Sequence, residues 1–145
     1  MKKVLFATLI AISLISSAFA GPAKKVTYFV KSAFETAFPN ATEVEWKVTA
    51  DYTKASFVRD DVRNEAFYDP QGNFIGKSHA ISLEKLPTTI KSSFAKKYGS
   101  YTVSEAIQFE GVEETAYFIS AENEKQSVVL KVANGDISFF KVTEK

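Results

Sequence analysis

The chain of 145 residues contains no cysteine and only one histidine. Without cysteine it has no disulfide, no thiol nucleophile and no cysteine-ligated metal, and one histidine cannot supply the several ligands of a zinc site. A Ser-His-Asp triad would need His79, but no nucleophile motif such as G-x-S-x-G is present. Phosphate-cradling glycine loops and dinucleotide fingerprints are also missing. We therefore expect no metal, no cofactor and no enzyme activity.

The chain also lacks an excess of charge of either sign, with 18 basic and 17 acidic residues. Nucleic-acid binding needs a clustered cationic face, and docking on an anionic bilayer needs a comparable basic patch. Neither pattern is present in the sequence. We therefore expect no nucleic-acid partner and no attachment to a membrane through charge.

Long apolar runs are missing after the first twenty residues. Two lysines precede an apolar run over 4–15, and Ala18 and Ala20 then form an A-x-A site. This arrangement is typical of a secretory signal peptide, and the run is shorter than the roughly 20 residues of a membrane span. We predict that residues 1–20 are removed and that the mature protein, starting at Gly21, is periplasmic or secreted without a membrane anchor. The remaining 125 of the 145 residues are enough to build a core without disulfides.

Two parts of the sequence resemble each other. Val-Lys-Ser-Ala-Phe at 30–34 recurs as Ile-Lys-Ser-Ser-Phe at 90–94, and self-similarity at a fixed spacing indicates an internal repeat. In both parts a helical pattern is followed by alternating apolar and polar residues. We predict an α+β fold of two tandem repeats, 21–80 and 81–145, each with one helix packed on a four-stranded antiparallel β-meander.

Apolar residues at three- and four-residue spacings predict helices over 26–38 and 87–98. Period-two alternation predicts the strands, and the short turns between them require antiparallel neighbours. Trp46 alternates with valines in the first strand, so we expect it to pack under the first helix. The predicted strands cover 43–48, 52–58, 62–68, 74–79, 102–109, 114–121, 127–132 and 137–142.

Several short motifs resemble a known family. They are F-P-N-A-T-E-V-E-W at 38–46, Y-D-P-Q-G-N-F at 68–74, Leu86-Pro87 opening the second helix and Tyr98 closing it. Together they resemble the PepSY-like, beta-lactamase-inhibitor-like proteins of bacterial envelopes over nearly all of the mature chain. The resemblance implies export and tandem repeats of a helix on a four-stranded sheet. For some relatives it also implies inhibition of peptidases or other enzymes, but it transfers no functional residue.

Acidic residues at three places could belong to a catalytic or metal site, and each group also has a structural interpretation. Glu43 and Glu45 lie two apart on a strand, so they could couple on one face or form a solvated face. The acids at 60–61 could begin a metal loop or form a two-residue hairpin turn. The oxygen-bearing residues of 69–73 resemble part of a calcium loop without its closing glutamate, or a hairpin turn. We favour the structural interpretation in all three cases.

The second and third predicted strands offer a candidate binding surface. With a two-residue turn at 60–61, one face of this hairpin carries small and aromatic residues suited to packing under the helix. The other face carries rings and charges, which protein-binding surfaces use, although cross-strand pairing on a solvated face is an alternative. We take the following as candidate partner-binding residues: Tyr52, Lys54, Arg63, Glu65 and Phe67.

These patterns predict an exported, non-catalytic protein that binds another exported protein. Inhibition or modulation of an envelope or secreted hydrolase is the specific form suggested by the resemblance. The alternative is a carrier of a small apolar ligand, in a pocket between helix and sheet or between the repeats. An enzyme that relies on carboxylates alone is the third and least favoured hypothesis.

Overall fold

The computed structural model describes residues 25–145, so the predicted signal peptide lies outside the described residues. Helix α1 spans Tyr28–Ala37, helix α2 spans Thr88–Tyr98, and a single 3₁₀ turn covers Leu83–Lys85. No helix within the described part of the chain is long and apolar enough to cross a membrane. The strands are β1 (Thr42–Val48), β2 (Thr53–Arg59), β3 (Val62–Tyr68), β4 (Phe74–Ala80), β5 (Thr102–Gly111), β6 (Thr115–Glu122), β7 (Gln126–Ala133) and β8 (Asp136–Glu144).

The predicted helices and strands are confirmed, with bounds that differ by a few residues. Helix α1 begins after Thr27, whose Oγ1 accepts a hydrogen bond from the amide of Val30. A threonine at this position satisfies an amide that has no partner within the helix. The helix ends before Pro39, a residue that cannot continue it.

The eight strands form one antiparallel sheet in the order β1-β2-β3-β4-β5-β6-β7-β8. The prediction of two tandem repeats, each with one helix on its own four-stranded meander, is therefore wrong. Short turns in the sequence fix the pairing inside each group of four strands, but the long connection between β4 and β5 carries no such signal. In the sheet order β4 and β5 are nevertheless neighbours, and within the compact unit formed by residues 25–79 and 110–113 the amide of Val112, the residue after β5, donates to the carbonyl of Ile75 at 3.1 Å.

The described residues divide into two compact units. The α1 unit contains residues 25–79 and 110–113, and the α2 unit contains residues 80–109 and 114–145. In the α2 unit, Leu86 and Ile90 pack on the apolar side chains of β5, β6 and β7. Each unit thus has its own hydrophobic core beneath its own helix.

The core of the α1 unit is mostly aromatic. The Phe34 ring centroid lies 5.0 Å from that of Phe57 and 5.1 Å from that of Trp46, both edge-on. Edge-to-face contacts of this kind add about 0.5–1.5 kcal/mol beyond burial. The prediction that Trp46 packs under the first helix is confirmed.

Candidate functional site

The candidate surface depends on the turn that joins β2 to β3. Asp60 and Asp61 have φ angles of 52° and 58°, the left-handed values that both central residues of a type I′ turn require. This two-residue turn sets the register, with Lys54 opposite Phe67 and Ser56 opposite Glu65. The predicted hairpin and its register are confirmed, and the metal-loop alternative at this position has no support.

One face of the hairpin packs beneath α1, as predicted. Ala55, Phe57, Ala66 and Tyr68 are buried in the same cluster as the apolar residues of the helix. Because successive side chains of a strand point to opposite faces, the remaining residues of β2 and β3 lie on the side away from α1. The five candidate residues belong to this side, which we call the polar-aromatic face: Tyr52, Lys54, Arg63, Glu65 and Phe67.

The polar-aromatic face combines a ring pair with an ion pair. The centroids of Tyr52 and Phe67 are 6.1 Å apart, and Lys54 Nζ lies 2.6 Å from Glu65 Oε1. Arg63 Nη2 donates to an oxygen of Glu45 on β1 at 3.3 Å. The structure therefore brings the predicted residues together as two contacting pairs and one arginine linked to the neighbouring strand.

The Lys54–Glu65 pair is largely withdrawn from water, since the two side chains are 11% and 23% exposed. Desolvating two charges is costly, and such a pair stays ionised only with good geometry and further hydrogen bonds. The hydroxyl of Ser56 lies 3.5 Å from the same Glu65 oxygen. Burial raises the pKa of Tyr52, and the negative charges of Glu65 and Asp51 raise it further.

Exposure of this face differs from the expectation. Tyr52, Lys54 and Phe67 are buried, whereas Arg63 is exposed. The expectation that the face is open to solvent is therefore wrong for these three buried residues, and the role of the face in partner binding stays a prediction. A strand pattern determines which side chains share a face, but it contains no information about what covers that face.

Ser78 was missed by the sequence interpretation. It lies opposite Glu65 in the β3–β4 pair and is 2% exposed, so it adds a buried hydroxyl to the polar-aromatic face. The register of this pair shifts between Phe67 and Tyr68. Such an irregularity has no clear signal in the sequence, so the placement of Ser78 could not be predicted.

The other acidic candidates serve local structure. Glu43 has a φ of 51° at an irregularity of the β1–β2 pairing, so β1 is not regular between Glu43 and Glu45. The idea that the two glutamates share one face of a regular strand is therefore wrong. Glu45 is instead paired with Arg63, which agrees with a structural role for this carboxylate.

Asp69 organises the β3–β4 turn. Its carboxylate accepts the amides of Gln71 at 2.9 Å and Asn73 at 2.8 Å, and also the side-chain amide of Asn73. Partial burial by itself would raise the pKa of Asp69, but these hydrogen bonds outweigh it and lower the pKa. The carboxylate is committed to the turn, which supports the hairpin interpretation over the calcium loop.

No family model and no curated protein matches the chain. Among solved structures, a BLIP-like (beta-lactamase-inhibitor-like) protein from Bacteroides fragilis NCTC 9343 matches at 19% identity and a TM-score of 0.68, covering 85% of this chain and 89% of that one. The chain has a BLIP-like fold. A DUF2874 family protein from Bacteroides uniformis ATCC 8492 matches at 13% identity and a TM-score of 0.72, covering 83% and 90%. A protein from Bacteroides eggerthii DSM 20697, named as periplasmic, gives 15% identity, a TM-score of 0.73 and the same coverage.

These similarities support the beta-lactamase-inhibitor-like part of the resemblance and do not bear on its PepSY-like part. At 13–19% identity they show the fold alone.

Proposed function

We propose that the mature chain is an exported, non-catalytic protein that binds another exported protein through the polar-aromatic face. The observation that carries the proposal is the composition of this face, where a ring pair and an ion pair lie on strands whose other side packs under α1. Aromatic residues are enriched in protein interfaces and among the residues that carry most of the binding energy. The proposal also includes that the chain is PepSY-like and that the mature protein is periplasmic or secreted.

Access to the face is the first condition of this proposal. Tyr52 and Phe67 are 3% and 0% exposed, and the proposal requires both rings to be reachable in the mature protein. Hydroxyl-radical footprinting of residues 21–145, read by mass spectrometry, measures how far the two rings react. Oxidation of both rings is the expected result, and full protection of both would contradict the proposal.

Binding is favoured over catalysis by the roles of the titratable groups. No group of three or more His, Cys, Asp or Glu residues that could hold a metal occurs within residues 25–145. Glu45 pairs with Arg63, and Asp69 accepts the amides of its own turn. His79 lies in β4 opposite Asn64, a residue that is neither the nucleophile nor the orienting acid of an acyl-transfer site.

The more specific part of the proposal is inhibition of an envelope or secreted hydrolase. Its support is the BLIP-like fold, together with the sequence resemblance to beta-lactamase-inhibitor-like proteins. An inhibitor of this class needs no catalytic residue, because it acts by occupying the enzyme's surface. If the captured partner is a hydrolase, one molar equivalent of the mature chain should reduce its activity. A captured hydrolase that keeps full activity would contradict inhibition while leaving binding intact.

The binding experiment uses residues 21–145, tagged at the C-terminus, as bait in an envelope extract of the native cells. Arg63→Glu changes an exposed charge of the polar-aromatic face and leaves the buried residues in place. Arg59→Glu is the matched control, because it makes the same change in the same hairpin on the side that faces α1. We expect Arg63→Glu to lose a specific partner that the wild type and Arg59→Glu retain. Equal retention by both variants would place the partner elsewhere.

For the alternative function, a carrier of a small apolar ligand, a described cleft of about 290 Å³ beside α1 is bordered by rings such as Phe34 and Trp46 but also by the charged side chains of Lys31 and Glu35. A carrier site is enclosed and mostly apolar. A cleft of about 690 Å³ in the α2 unit is instead bordered by polar and charged side chains at strand ends. Its lining residues are Ser100, Thr102, Glu122, Asn123, Glu124, Lys125 and Lys145.

A further inference from the structure

The two terminal strands of the sheet both contain a bulge and charged residues, and they differ in how much apolar side chain they expose. β1 and β8 each have one neighbouring strand among residues 25–145, so each leaves a row of backbone groups unpaired on its outer side. Natural proteins block such edges with bulges and charged residues. β1 has an irregularity at Glu43 and carries Glu45 and Lys47. β8 is nine residues long and carries exposed Phe139 and Val142.

A bulge in β8 places these two apolar residues on the same face. Lys141 pairs with Val129, and Phe139 pairs with the next residue of β7, so Phe140 is the extra residue. The Phe139 ring contacts Tyr98 of α2 with centroids 5.7 Å apart, and Val142 lies opposite Val128 of the core below α2. Residues three apart on a regular strand would point to opposite faces.

The two residues of the bulge, Phe140 and Lys141, lie on the other face of the sheet. The Phe140 ring contacts that of Phe118, with centroids 5.3 Å apart. Lys141 precedes Val142 and therefore points away from α2. The bulge thus interrupts the alternation of faces along β8, because Phe140 and Lys141 are adjacent in sequence and lie on the same face.

We propose that β8 is a dimerisation edge, where β8 of a second copy of this chain pairs antiparallel about a twofold axis between Phe140 and Lys141. In this register Phe139 of each copy lies opposite Val142 of the other copy, on the α2 side of the sheet. Phe140 lies opposite Lys141 on the other side. Because of the bulge, the two side chains of every opposed pair point to the same face of the sheet. In a regular strand, pairing about the same twofold axis would set residues of opposite faces against each other.

Burial and charge both favour this occupant. Phe139 and Val142 are 56% and 48% exposed, and pairing covers both residues in each copy. The same register sets Asp136 of one copy opposite Lys145 of the other, so opposite charges meet at both ends. Lys145 Nζ lies 2.9 Å from Glu122 in its own chain, and Asp136 would join that pair. An isologous contact of this kind closes as a dimer.

The first test is the oligomeric state of residues 21–145, measured by analytical ultracentrifugation over a range of concentrations. We expect a reversible monomer–dimer equilibrium whose dissociation constant rises about 10-fold or more in Val142→Lys, because burial of the valine is lost and a charge is placed in the contact. Val112→Lys is the matched control, since Val112 is 71% exposed and lies outside β8. A wild type that remains monomeric, or a dimer unchanged by Val142→Lys, would overturn the proposal.

The second test reads the register directly, and the absence of native cysteine makes it clean. Opposed residues of an antiparallel pair have Cα atoms about 4.5–5.5 Å apart, within the range that a disulfide spans. An equimolar mixture of Phe139→Cys and Val142→Cys chains should form a cross-linked dimer on mild oxidation. Each variant alone should not, because identical positions are about 10 Å apart in this register. Efficient cross-linking of either variant with itself would reject the register.

Discussion

At the scale of single residues, the buried hydroxyl of Tyr68 affects the stability of the fold. Its side chain is 1% exposed in the core below α1, and its hydroxyl has no hydrogen-bond partner among the residues that the structure describes. A buried hydroxyl without a partner costs about 1–3 kcal/mol. The same burial raises the pKa of Tyr68 to about 12.

Tyr68→Phe should therefore stabilise the protein. We expect the free energy of unfolding to rise by about 1 kcal/mol at pH 7, measured by urea denaturation of residues 21–145. Tyr101→Phe is the control, because the hydroxyl of Tyr101 accepts a hydrogen bond from the side chain of Gln126. This second substitution should lower stability by about 0.5–1.5 kcal/mol. A loss of stability in Tyr68→Phe would show that its hydroxyl is satisfied.

The benefit of Tyr68→Phe should also depend on pH. An unfolded tyrosine loses its proton near pH 10, whereas folded Tyr68 keeps its proton to about pH 12. Wild-type stability is therefore unaffected by this group below pH 10 and falls as pH rises from 10 to 12. The gap between the two proteins should widen by about 2–3 kcal/mol over this interval. A gap that stays constant would contradict the raised pKa.

At the scale of elements, the β2–β3 turn uses residues that are not ideal for its geometry. Asp60 and Asp61 both have positive φ, a conformation that Asn-Gly adopts more readily in a type I′ turn. The β7–β8 turn has this preferred pair, with Asn134 at φ 53° and Gly135 at φ 84°. The two hairpins thus use different sequences for the same kind of turn.

Replacing the first turn by the second should stabilise the hairpin. We expect Asp60→Asn with Asp61→Gly to raise the free energy of unfolding by about 0.5–1 kcal/mol. The exposed Arg59–Asp60 pair that it removes contributes little. The reciprocal change, Asn134→Asp with Gly135→Asp, should lower stability, as measured in the same urea titration. If both double substitutions changed the free energy of unfolding equally, or with signs opposite to those expected, turn conformation would not determine the stability of either hairpin.

Secondary structure and the hairpin register could be predicted from the sequence, because periodicity and turn residues are local signals. The pairing of Lys54 with Phe67 follows from the two-residue turn alone. The irregularity at Glu43 and the union of eight strands into one sheet could not be predicted. Both depend on contacts between strands that are not joined by a tight turn. The burial of Tyr52 and Phe67 was missed for the same kind of reason, since coverage of a face is a tertiary property.

At the scale of the whole molecule, the proposed export would determine which form of the chain acts. The A-x-A site of Ala18 and Ala20 predicts cleavage before Gly21. Intact-mass measurement of the protein from the envelope or medium should show a chain that begins at Gly21. Ala20→Phe should leave the precursor uncleaved, because a large side chain does not fit a site for small residues, whereas Phe19→Leu should not. Normal cleavage of Ala20→Phe would contradict this site.

The strand order of the sheet is the order of the strands in the chain, and this has a consequence for how the protein would reach its native state after export. Each strand pairs with the strand that precedes it in the chain, so few contacts between strands join residues that are far apart in sequence. Folding rates rise as the mean sequence separation of contacts falls. A polypeptide that leaves a translocation channel amino terminus first can therefore add one strand at a time to a growing sheet. The first and last strands made, β1 and β8, would each keep one edge without a neighbouring strand among residues 25–145.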